Sequence, residues 1–193
     1  NFDVEIKNDN SPLTKADKLS NLRIENILRS TEIPILSEEG RDIPFSERKD
    51  WKTLWIVDPL DGTKEFIKRN GEFTVNIALV DSGLPILGVV YVPDSGVLYY
   101  GAKEIGSYKL VLDGSDKKMG IRFNLDDLLE SAIKLPTSVS DNPFRVVGSR
   151  SHMSQETEDY ITLLKKKHSN IEVVSAGSAI KLCLVAEGFA NEY

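Results

Sequence analysis

The sequence has one cysteine, Cys183, so it cannot build a disulfide framework, and a reducing compartment suits it. No apolar run approaches the roughly 20 residues that a membrane-spanning helix requires. There is no G-x-x-x-x-G-K-[ST] loop, which excludes a P-loop nucleotide site. No suitable Cys or Ser-His-Asp set stands out, and the chain has neither an internal repeat nor a low-complexity segment. Excess positive charge is also lacking. With 24 Lys and Arg against 30 Asp and Glu, the formal charge is −6, which argues against a nucleic-acid polymer as partner. A phosphorylated small molecule stays open, because a bound divalent cation inverts the local field.

What is present is ordinary globular material: 193 residues, 40% hydrophobic, enough for one large domain or two small ones. The most informative stretch runs from Leu54 to Phe66. Leu54 to Val57 reads as a short buried strand. Pro59 lacks an N–H and is expected to end the sheet ladder just after Asp58. Gly62 permits a tight bend, so Asp58 and Asp61 should point into one small space. Paired carboxylates repel unless a cation lies between them, and hard oxygens, including the Leu60 carbonyl, suit Mg²⁺. Thr63, one step on, is placed to hold a water. A solvated turn with two exposed acids is the plainer alternative.

Upstream, Thr14 opens a helix to about Arg29, with Ala16, Leu19, Ile24, Ile27 and Leu28 near a 3.6 period. Asp17 fits two roles, as the distal half of a capping box with Thr14 or as acceptor for a catalytic group. Ile33 to Leu36 predicts a strand leading into Glu38 and Glu39, and Gly40 to Lys52 an irregular surface loop. Downstream, Lys64 to Gly71 predicts a turn or short helix. Strands over 73–80, 86–92, 97–102 and 108–112 suggest an antiparallel meander, with a loop over 113–119. A short helix from Asn124, a strand over 144–148 and a helix capped by Ser154 to about Lys167 come next. They are followed by a strand over 171–174 and a last helix, 179–187, burying Leu182, Cys183, Val185 and Ala186. The mixture lacks a regular βαβ alternation, so α+β layers are expected, divided into sub-domains 1–135 and 136–193.

Asp58-Pro59-Leu60-Asp61-Gly62-Thr63 looks like the signature of the magnesium-dependent, lithium-sensitive phosphatases that include inositol monophosphatases. The segments 9–17, 36–39, 63–78, 149–152 and 181–188 narrow the likeness to the CysQ-type 3′(2′),5′-bisphosphate nucleotidases. The resemblance implies the layered fold of inositol monophosphatase and fructose-bisphosphatase. It also implies removal of the 3′-phosphate of adenosine 3′,5′-bisphosphate, a by-product of sulfate assimilation. Glu38, Asp58, Asp61 and the Leu60 carbonyl would bind Mg²⁺. Asp17 and Thr63 would orient and deprotonate a water. Gly62 and Thr63 would offer N–H groups to the phosphate, with Ser151, His152, Ser178 and Lys181 near the nucleotide. Ala179 stands where relatives often carry a second serine. The implied setting is cytoplasmic, or peripheral at the inner face of the bacterial inner membrane.

An inositol-phosphate phosphatase and a non-catalytic metal or nucleotide sensor are the competing readings. In the family pattern a helix precedes the position of Asn1, and a Trp-Asp pair lies beyond Tyr193. The expectation is therefore a C-terminal portion that is partly lacking, weak Mg²⁺ binding and poor turnover.

Overall fold

The computed structural model describes residues 5–6, 12–112, 124–137, 142–150 and 153–193. The expected loop at 113–119 falls wholly outside these residues. A short antiparallel pair, β1 (Glu5–Ile6) with β2 (Pro12–Leu13), leads into α1 (Lys15–Leu28) and a single 3₁₀ turn at Arg29–Thr31. A seven-stranded sheet follows in strict chain order: β3 (Ile35–Ser37), β4 (Thr53–Asp61), β5 (Thr74–Asp81), β6 (Leu84–Val92), β7 (Val97–Ala102), β8 (Gly106–Val111) and β9 (Ile133–Lys134). Only β3 and β4 are parallel. The rest is the meander that the turn residues imply, because short Gly-containing connections can join only antiparallel neighbours.

Two short helices interrupt this sheet's sequence. The segment between β3 and β4, expected to be irregular, carries α2 (Phe45–Arg48) after Pro44, and α3 (Thr63–Lys68) follows β4. A further helix, α4 (Leu125–Ser131), is capped by the Asn124 side chain. The second unit is a parallel pair, β10 (Phe144–Ser149) with β11 (Ile171–Ala176), joined by α5 (Gln155–Lys167) and followed by α6 (Ile180–Ala186). Phe144 and Val146 face Ile161 and Leu164 of α5, whereas Val147 and Ala176 face Ile180, Leu184 and Val185 of α6. That period of two places apolar residues on both faces, as a covered parallel sheet requires. These layers are the α+β arrangement that the mixed element pattern predicts.

Three expectations are corrected. First, α1 does not bury its apolar stripe: Leu19 and Ile27 are 54% and 57% exposed and Ile24 and Leu28 only half-buried, while Asp17 and Asn21 are buried. The inward polar face is tolerated because it is bonded. Asn21 receives the Ser37 hydroxyl at 2.6 Å, and Ser20 donates to the Pro59 carbonyl at 2.8 Å. Second, Pro59 does not end the ladder; the register slips between Asp58 and Asp61, so the proline sits, fully buried, in a bulge. Third, α6 buries Cys183 as expected but leaves Leu182 and Ala186 exposed, and it buries Lys181, whose ammonium is bonded to the Ser178 carbonyl. No helix among the described residues is long and apolar enough to cross a membrane.

Candidate functional site

The bulge in β4 shapes the site. Asp58 pairs opposite Asn76 and Asp61 opposite Thr74, so Pro59 and Leu60 of β4 stand against Val75 alone of β5. The extra residue bends the strand locally, with both aspartates in its last four residues. The Leu60 amide donates to Asp58 Oδ1 at 3.2 Å, and the fully buried Thr74 hydroxyl lies 3.4 Å from Asp61 Oδ2. Gly62 then adopts φ 89°, a left-handed turn that starts α3. A Cβ there would meet the Glu72 carbonyl at 3.1 Å and the Ser178 Cβ at 3.2 Å, so glycine is required both by conformation and by space.

Asp17 divides its partners between its two carboxylate oxygens. Oδ2 accepts the Thr14 amide at 2.8 Å and the Thr14 hydroxyl at 2.5 Å, closing the capping box of α1. Oδ1 faces the Thr63 hydroxyl at 3.2 Å, and that hydroxyl is also 3.4 Å from the Leu60 carbonyl. The side chain is 1% exposed, so its orientation is locked by the helix it caps.

The second unit closes the opposite wall. After β11 the chain turns through Gly177 and Ser178, the latter at φ 47°, an uncommon conformation for a residue with a Cβ. Lys181, buried in α6, donates to the Ser178 carbonyl at 2.6 Å, and its Nζ lies 5.3 Å over the Tyr193 ring. Asp58, Asp61, Gly62, Thr63, Ser178 and Lys181 share one cavity of about 650 Å³. Glu38 is exposed and stands beside Asp58 without lining this cavity, positioned by its own amide bonded to the Val57 carbonyl at 3.0 Å. Ser151 and His152 lie outside the described residues. Ala179 caps α6 without a side-chain hydrogen bond.

Asn76 is a wall residue that sequence reasoning missed. Its Oδ1 and the Ser178 Oγ are buried with no hydrogen-bond partner among the described residues, and both residues line the cavity. An unpaired buried polar atom costs about 1–3 kcal/mol, so these atoms mark where a polar ligand or water belongs. The strand register opposite Asp58 was the only signal for Asn76, and register is not visible before the bulge is known. Asp58 and Asn76 also border a neighbouring apolar groove of about 670 Å³.

Burial, with Glu38 and Asp61 beside it, pushes the Asp58 carboxyl up to about 7, and a hydrogen bond shared with Glu38 adds to the effect. Among the described residues, no group of three or more His, Cys, Asp and Glu side chains stands ready to hold a metal ion. The three carboxylates are thus within electrostatic reach of one another without forming a closed cage. Their mutual repulsion is of the kind a bound cation relieves, and their hard oxygens fit Mg²⁺.

A consequence for stability follows. A carboxyl whose folded pKa lies above its unfolded value contributes stability that is whole below the unfolded value, 3.8, and is lost as pH rises through about 7. In thermal melts with a chelator, between about pH 4 and pH 8, the wild type should lose more stability than Asp58→Asn. Saturating Mg²⁺ should shrink that difference. Parallel profiles for the two proteins would refute the assignment.

The model of the inositol monophosphatase family matches residues 1–193. The chain belongs to the inositol monophosphatase family. It is similar to the 3′(2′),5′-bisphosphate nucleotidase CysQ of Shigella flexneri, 46% identical over 195 residues, which cover 100% of this chain and 69% of that one. The crystal structure of CysQ from Bacteroides thetaiotaomicron, a bacterial member of the family, superposes with a TM-score of 0.84 at 49% identity. That match covers 95% of this chain and 67% of the other. An inositol monophosphatase/NADP phosphatase complexed with Mg²⁺ and phosphate matches at TM-score 0.64 and 20% identity, covering 96% and 62%, a likeness of fold alone. Family membership and the layered fold agree with the motif resemblance.

Proposed function

We propose that the chain carries the site of a magnesium-dependent phosphomonoesterase that hydrolyses the 3′-phosphate of adenosine 3′,5′-bisphosphate to AMP and phosphate. The observation that carries this reading is the Thr63 hydroxyl on Asp17 Oδ1, set in the same turn as Asp58 and Asp61. The identity with nucleotidases over the whole chain supports the choice of substrate. Glu38, Asp58, Asp61 and the Leu60 carbonyl are the oxygens that would hold Mg²⁺. When bound, the ion supplies Lewis acidity, charge neutralisation at phosphate oxygens and a more acidic water.

The chain's own residues do the rest. The Thr63 hydroxyl donates to Asp17, which leaves its oxygen free to accept from the attacking water and align it. Asp17 then takes the displaced proton through Thr63, a general-base arrangement. The Gly62 and Thr63 amides donate to the phosphate. Ser178 and Lys181 contact the nucleotide, joined by Ser151 and His152 on the strength of the resemblance. No covalent intermediate is needed. The division into sub-domains 1–135 and 136–193 is supported by the sheet ending at Lys134 and the second beginning at Phe144. The cavity then lies where the two meet, a common place for a ligand.

The test is phosphate release from adenosine 3′,5′-bisphosphate and from inositol 1-phosphate side by side, with and without Mg²⁺. The nucleotide should be preferred at least about tenfold in kcat/KM, a difference of about 1.4 kcal/mol. Preference for the inositol phosphate would reassign the substrate. No release from either would leave a binding protein.

A further inference from the structure

We infer that Glu72 is a positioning residue for the substrate pocket, acting through the Gly177–Ser178 turn without touching the ligand. It rests on the nucleotidase reading above. Glu72 stands between α3 and β5 and does not line the cavity. Its carboxylate receives a two-pronged bond from Arg150, Nε to Oε2 at 2.6 Å and Nη2 to Oε1 at 2.7 Å. Oε2 also accepts the Gly177 amide at 2.8 Å. The same Arg150 Nη2 bonds the Ser175 carbonyl at 2.7 Å, tying the ends of β10 and β11 together. One carboxylate therefore joins the large sheet's unit to both strands of the small one.

An ion pair with Arg150 44% and Glu72 24% exposed would ordinarily contribute little. Two features set this one apart. The fork geometry fixes direction as well as distance, and the third bond goes to a main-chain amide, which cannot swing away. The packing around it is also without slack. A Cβ on Gly177 would come within 2.8 Å of the Glu72 carbonyl oxygen, 2.9 Å of the Glu65 Cγ and 3.0 Å of the Glu72 Cβ. A Cβ on Gly62 would come within 3.1 Å of that same carbonyl oxygen. Glu72 thus sets the separation between the Gly62 turn, which faces the phosphate, and Ser178.

Ser178 needs such support. It holds a left-handed backbone, and its Oγ is buried without a partner among the described residues. A strained residue with an unpaired hydroxyl relaxes unless its neighbours prevent it. The bond from Gly177, the preceding residue, to Glu72 is the constraint that prevents it. Loss of this anchor frees the nucleotide-contacting wall while leaving Asp17, Thr63, Asp58 and Asp61 in place. The effect should therefore appear in substrate binding and not in the chemical step.

The experiment is steady-state kinetics on adenosine 3′,5′-bisphosphate for wild type, Glu72→Gln, Arg150→Lys and the double variant, with melting temperatures for each. Glu72→Gln should raise KM about tenfold and leave kcat within about threefold and the melting temperature nearly unchanged. Arg150→Lys should act in the same direction, and the double variant should be no worse than Glu72→Gln, since coupled partners are not additive. Unchanged KM in Glu72→Gln overturns the inference, as do strictly additive effects. A fall in kcat that tracks a fall in melting temperature also overturns it, because that is the mark of a purely structural pair. If the wild type itself shows no activity, the nucleotidase reading falls and this inference with it. An active wild type with an unaffected Glu72→Gln removes this inference alone.

Discussion

Asp61→Asn is expected to lower phosphate release about a thousandfold while leaving the fold intact. The substitution is isosteric, and the amide oxygen can still accept from the Thr74 hydroxyl that lies 3.4 Å from Asp61 Oδ2. What is lost is a full negative charge on the cavity wall, next to Asp58. Charge stabilisation by a correctly held cation is worth several kcal/mol, and about 4 kcal/mol corresponds to a factor of about a thousand. The Mg²⁺ concentration for half-maximal activity should rise in parallel. Circular dichroism and the melting temperature should stay close to wild type. In metal-free buffer the variant should be no less stable, because one of the charges facing Asp58 is gone. Retention of activity within about tenfold would refute the metal mechanism.

The second large effect is expected at Asp17, where one side chain serves two partners. Asparagine has a single acceptor oxygen, so Asp17→Asn can accept from Thr14 or from the Thr63 hydroxyl, but not from both, and its amide nitrogen can take no proton. Loss of the proton acceptor should reduce kcat about 10²- to 10³-fold, the range typical of a positioned general base. Weakening of the helix cap should cost about 1 kcal/mol. In a chain of this size that is a fall of about 2–4 °C in melting temperature. Thr14→Ala separates the two duties. It removes the hydroxyl that bonds Oδ2 and leaves the Oδ1 contact with Thr63, so it should lower the melting temperature similarly and kcat by less than about tenfold. If Thr14→Ala is as inactive as Asp17→Asn, Asp17 is a cap and nothing more.

Much of the local structure is legible in the residues themselves. Ser154 caps α5 and the helix ends at Lys167, where the spacing and the lysines place it. Strand β7 spans Val97–Ala102, and the turn residues between strands imply the meander that forms. The capping box of Thr14 and Asp17 forms as its spacing suggests. All of these depend on interactions within a few residues, which a linear pattern records. The failures share the opposite cause. Leu19 and Ile27 lie at helical spacing yet face outward, because Ser37 and the Pro59 carbonyl offer Asn21 and Ser20 polar partners on the inner side. Pro59 is accommodated by a bulge, which depends on how β5 pairs with β4 and not on the proline alone.

The stretch from Asp58 to Thr63 shows the same division within the site. The sequence by itself determined the donor groups and the family: two acids three residues apart, a glycine where the chain must turn left-handed, and a threonine beside it, in the order of a known family signature. It also left two roles open for Asp17, because a capping bond is local and the Thr63 bond spans 46 residues. Only the tertiary structure shows the Thr14 bonds and the Thr63 bond together on separate oxygens. It also decided that Asn76 stands opposite Asp58, and that Glu72 reaches 105 residues along the chain to the Gly177 amide. Residue identity specifies what a group can do. Which groups meet is set by strand register, by the bulge at Pro59 and by the contact between two separate sheets, and none of these has a signature confined to neighbouring residues.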